Sequence, residues 1–118
     1  MTLKECYEVM GADYNEVISR LRSERMVQKF CLKFLDDPSY GLLTDSMESG
    51  NYEEAFRAAH TIKGVCQNLA FTSLSKSSSA LTEALRSGPT PEAPGLLEQV
   101  KQDYQRTVTA IREFRDSL

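Results

Sequence analysis

The sequence predicts an all-α fold: an antiparallel up-down four-helix bundle with one or two short additional N-terminal helices. Three observations carry this. Apolar residues recur at spacings of three and four, and strand-like alternation is absent. Capping and stop residues recur at helical intervals. The connections between amphipathic stretches are short, which places consecutive helices side by side and antiparallel. A chain of 118 residues suits one domain with one core, spanning 1–118.

Each element has its own punctuation. Thr2 and Glu5 form a capping box for a short first helix over 1–11, closed by Gly11. Asp13 and Glu16 repeat the pattern and open the segment 13–50, the helices before the site. Val17, Ile18, Leu21, Met26, Val27, Phe30, Phe34 and Leu35 give it an apolar side, with a possible break near Ser23. Asp37-Pro38 ends or kinks that run, because proline excludes helix at the residue before it. Ser39 opens a shorter helix stopped by Gly50. Asn51 with Glu54 caps a helix over 51–69. Thr72 is expected to cap the next, over 72–87, which Gly88-Pro89 stops. Residues 89–94, with three prolines, read as a loop. The last helix, 95–118, carries the stripe Leu97, Val100, Tyr104, Val108, Ile111 and Phe114.

Composition excludes several classes of function. The formal charge is -3 with no basic cluster, so the electrostatic footprint of nucleic-acid binding is missing. No stretch approaches the roughly 18 apolar residues of a membrane span, and the N-terminal residues do not read as a signal peptide. Cys6, Cys31 and Cys66 match neither zinc spacing nor a disulfide framework. Free thiols in a reducing cytoplasm are the expectation. With one histidine and scattered cysteines, no metal site is expected.

That one histidine is the most informative residue. On a wheel of about 100° per residue, Ala55, Ala58, Ile62, Val65 and Leu69 gather on the core side of helix 51–69, and Phe56, His60, Lys63, Gly64 and Gln67 on the other. His60 is therefore a surface nucleophile with a cation at i+3 and a bare backbone at i+4. A mid-helix glycine costs roughly 1 kcal/mol relative to alanine. Close helix packing is the usual reason for one, but Gly64 faces outward with His60, where it would let another protein approach. Lys63 would steady a phosphoryl group on the imidazole. Phe56 is either half-buried against a neighbouring helix or part of a docking patch. Gln67 can bond a phosphoryl oxygen or water.

From Ala55 to Thr82 there is no Asp or Glu, whereas Arg57, Lys63 and Lys76 fall there. The field around His60 is expected to be neutral to positive, which favours a dianion. On the next helix Phe71, Leu74, Ser78, Leu81 and Leu85 form the inward stripe, and Ser75, Ser79, Thr82 and Arg86 a flank. If the two helices pack antiparallel, Thr82 would bond the imidazole nitrogen and Arg86 would face the phosphoryl group or a partner. Ordinary helix surface is the alternative for both.

These residues resemble the histidine-containing phosphotransfer (HPt) domain of two-component phosphorelays, whose motif His-x-x-Lys-Gly stands here as His60-Thr61-Ile62-Lys63-Gly64. The likeness extends to the lead-in Asn51-Tyr52-Glu53-Glu54-Ala55-Phe56, to Gly11 through Leu21 with Phe30 and Phe34, and to Leu69, Phe71, Leu74 and Leu81. It implies a four-helix bundle in which His60 is the phosphoacceptor, Lys63 stabilises the phosphoryl charge and Gly64 gives the partner clearance. Two positions depart from the family: Ala70 stands where glycine is common, and Thr82 where Gln or Glu often holds the ring. Arg86 matches a basic position of some members.

The resemblance implies a phosphoryl carrier without an ATP site of its own. His60 would accept a phosphoryl group from a receiver-domain phosphoaspartate and pass it to another response regulator. No cofactor is implied for this chain; Mg²⁺ is expected on the partner receiver. Response-regulator receiver domains are the expected partners, with a hybrid histidine kinase as a further candidate, and the domain is expected to be monomeric. Two alternatives stand beside this reading: an adaptor that binds receivers without carrying phosphate, and the phosphoacceptor module of a larger chemotaxis-type kinase.

Overall fold

The computed structural model describes residues 1–118 as seven helices and no strand. They are α1 (Leu3–Met10), α2 (Tyr14–Leu21), α3 (Glu24–Phe34), α4 (Ser39–Ser49), α5 (Tyr52–Leu69), α6 (Thr72–Leu85) and α7 (Ala93–Asp116). Where four helices plus one or two short ones were expected, the chain forms seven, the two N-terminal ones of eight residues each. Arg22 adopts a left-handed conformation and Ser23 caps α3 by accepting from the Met26 amide, so the run after Asp13 is cut in two.

Helices α4, α5, α6 and α7 each pack on the next, as their short connections dictate. Helix α3 touches both α5 and α7, and α1 lies along α7. One continuous core of 26 buried apolar residues runs through the molecule. Its centre is aromatic: Phe71 meets Tyr7 with ring centroids 5.7 Å apart and Phe34 at 5.3 Å, edge to face with the latter.

The caps at Thr2, Asp13 and Asn51 form as the sequence predicts, and Gly11 and Gly50 close their helices in the left-handed region. Thr72 corrects the expectation. It is the first helical residue, Phe71 occupies the cap position, and no side chain caps α6. The Gly11 carbonyl does this from across the fold, accepting from the Ser73 amide at 3.1 Å and the Ser73 hydroxyl at 3.0 Å. A side chain at Gly11 would collide with Ser73 and Arg106. Helix α6 ends at Leu85 rather than Ser87, and α7 starts at Ala93 rather than Gly95. Pro94 fits inside the first turn because an amide there has no helical partner to lose.

All three thiols are free and buried, one each in α1, α3 and α5. Burial pushes Cys6 up to about 12 and Cys31 to about 11, and raises Cys66 and the Tyr7 phenol as well. The Tyr7 hydroxyl donates to the Leu69 carbonyl at 2.9 Å. The folded chain therefore keeps protons that the unfolded chain releases above a pH of about 8.5 to 10. Stability should be unaffected by these groups at neutral pH and should fall as pH rises from about 9 toward 12, each unit of raised pKa contributing about 1.4 kcal/mol. Thermal melts across that range check this, and Cys6→Ala should flatten the decline.

Candidate functional site

Helix α5 is built to hold one face still and leave the other bare. Asn51 accepts from the Glu54 amide, and Arg57 bonds Glu53 and Glu54, both at 2.8 Å. These acids sit at the positive end of the helix dipole. At the other end Arg20 of α2 donates to the Gln67 and Asn68 carbonyls, where a cation offsets the negative end. Ala70 then turns the chain with φ +57°, a left-handed conformation that glycine adopts more readily than alanine. Ala55, Ala58, Ala59, Ile62, Cys66 and Leu69 are buried, and the three alanines let neighbouring helices come close.

His60, Gly64 and Gln67 are exposed on the opposite side, and Lys63 and Phe56 are half-buried. Of the two readings for Phe56, the structure shows the half-buried one. It packs on the edge of the core and stacks beside His60, with centroids 6.2 Å apart and planes 19° from parallel. An added Cβ at Gly64 would meet nothing within 4 Å, so packing within this chain gives no reason for the glycine. Gly64 and Gln67 border a groove of about 580 Å³ between α3 and α5, which also takes in Arg20, Phe30, Lys33 and Asp37. At the other end of the patch, Phe56 and Arg86 line a hollow of about 170 Å³. His60 lies between the two along the helix.

Helix α6 delivers Arg86 to this patch, with its guanidinium carbon 5.3 Å from the Phe56 ring centre. Thr82 is not delivered, which corrects the expected bond to the imidazole. It is fully buried and its hydroxyl donates to the Ser78 carbonyl at 2.7 Å, back along its own helix. The acid next to it is the group that reaches the site. Glu83 is exposed and accepts two bonds from Arg86, at 3.1 Å from Nε and 2.7 Å from Nη2. Arg86 chiefly, with smaller contributions from Lys63 and His60, holds its carboxyl below the usual carboxylate range. The field around His60 is thus mixed, not simply neutral to positive. The acid-free run ends one residue before the acid that matters. The Glu83-x-x-Arg86 spacing, which puts both side chains on one helix face, was the available signal.

The model of the Hpt domain family matches residues 12–110. The chain belongs to the Hpt domain family. Hpt domains are phosphocarriers of two-component phosphorelays, and they interact with receiver domains and kinases. Neither a curated protein nor a solved structure matches this Hpt domain. None of its helices is long and apolar enough to cross a membrane. It contains no group of three or more His, Cys, Asp or Glu residues that could hold a metal ion.

Proposed function

We propose that this Hpt domain carries phosphate on His60 between two receiver domains. The observation that supports this most directly is the exposed imidazole set between Lys63 and the stacked Phe56, with an unexplained bare backbone one turn away. Neutral His60 attacks the phosphorus of a receiver phosphoaspartate. A P–N bond forms, the acyl P–O bond breaks, and the aspartate leaves as carboxylate. The reverse step on a second receiver returns His60 to its free form. Imidazole suits both directions, being a nucleophile through its unprotonated nitrogen and a good leaving group. Lys63 and Arg86 balance the phosphoryl charge, Gln67 offers a hydrogen bond, and Mg²⁺ belongs to the receiver. The receiver sits over Phe56, His60 and Gly64, with the groove and the hollow at either end of its footprint. The protein is cytoplasmic and acts as a monomer in this reading.

The test is transfer from a phosphorylated receiver with Mg²⁺. Label that is acid-labile and base-stable supports phosphohistidine. Receiver binding without label on the wild type would favour the adaptor reading instead.

Gly64→Ala separates the partner's needs from the chain's own. The added methyl has open space and improves the helix, so stability should rise by roughly 0.5–1 kcal/mol in a denaturant titration. Transfer should nevertheless slow by about tenfold, since a misfit of ~1.4 kcal/mol at the interface is enough for that. Faster or unchanged transfer would remove the clearance role.

A further inference from the structure

We propose that Glu83 is a positioning residue for this chemistry: it grips the Arg86 guanidinium at two points beside the Phe56–His60 ring pair while His60 is free, and yields it to the phosphoryl group once His60 is loaded. This rests on the phosphocarrier reading above. The grip is the planar fork-to-carboxylate geometry that arginine favours, with both Nε and Nη2 engaged. It also fixes where the guanidinium waits, over Phe56. Both partners are more than half exposed, at 54% and 58%, so the pair is weak enough to exchange.

A phosphoryl group on His60 changes the competition. It brings close to two negative charges and three acceptor oxygens, against one charge on Glu83. Arg86 then moves to the stronger anion. The released Glu83 carboxylate is left facing a dianion of like sign, which lowers the affinity of the patch for its cargo. A carrier that must give its phosphoryl group away gains from that restraint: Lys63 and Arg86 hold the charge, and Glu83 keeps them from holding it too well. Thr82, buried on its own helix, cannot act in this way.

The whole chain can be loaded without a receiver. Phosphoramidate supplies the phosphoryl group: His60 nitrogen attacks phosphorus, the P–N bond to the amine breaks, and ammonia departs with a proton. The Arg86 Nε–H resonance and the ³¹P signal are followed in wild type and Glu83→Gln. In wild type the Arg86 resonance should leave its carboxylate-bonded position on loading. In Glu83→Gln it should already be away from that position in the free protein. At equal phosphoramidate and ammonium, the loading equilibrium of Glu83→Gln should exceed that of wild type by up to about fivefold, the size an exposed ion pair supports. A loaded wild type whose Arg86 resonance has not moved would overturn the proposal, and so would a Glu83→Gln chain that loads no better than wild type. Absence of any histidine-linked ³¹P signal in wild type would instead overturn the phosphocarrier reading itself.

Discussion

His60→Gln should reduce phosphoryl acceptance to background while leaving the fold intact. Glutamine retains polarity and a hydrogen-bonding end but has no nucleophilic nitrogen, so no P–N bond can form. The residue is exposed, and a surface substitution of this kind should change stability by no more than about 0.5 kcal/mol. Wild type and variant are compared with the same phosphorylated receiver and Mg²⁺. Label on wild type alone assigns the acceptor, since the chain has one histidine. Equal label on both proteins would move the acceptor elsewhere. Receiver binding should survive in the variant, because the groove and the hollow beside the site are lined by other residues.

Phe71→Ala should cost about 3–5 kcal/mol, a large part of the ~5–15 kcal/mol that holds a domain together. Phe71 is 1% exposed and stands between Tyr7 of α1 and Phe34 of α3, directly after the turn that ends the histidine helix. Its loss opens a cavity beside Tyr7 and Phe34, whose unfilled volume adds to the lost burial of the ring. The urea midpoint should fall with little change in slope. Phe71→Leu should lie between wild type and Phe71→Ala. A loss below about 1 kcal/mol for the alanine variant would mean that the aromatic centre is not the keystone its contacts suggest.

Much of the fold was legible because much of it is written locally. Thr2, Asp13 and Asn51 each cap a helix whose first turn lies within three residues, and Gly11 and Gly50 stop theirs by a conformation that glycine adopts freely. The start of α6 at Thr72 agrees with the sequence, but its cap does not, because the capping carbonyl, Gly11, stands 62 residues away in the chain. No local pattern encodes a partner at that distance. The site divides in the same way. His60, Gly64 and Phe56 follow from one helix wheel, and the structure places them together on the outer face of α5. Glu83 and Thr82 depend on how α6 is rotated against α5, which single-helix periodicity leaves loose by about one residue, some 100°. That one-residue difference puts a threonine inside and a carboxylate at the site.

The shielded thiols give the molecule a set of internal clocks. Reaction of a cysteine with a thiol reagent requires an exposed thiolate, so each of these three reacts only when its surroundings open. They stand in three different helices, and Cys66 shares its helix with His60. Their separate labelling rates therefore report the opening free energies of α1, α3 and α5 one by one, in the native protein and without denaturant. Docking of a partner on the His60 face becomes readable from the inside: whatever tightens α5 slows Cys66, and whatever stays confined to the surface leaves all three rates where they were.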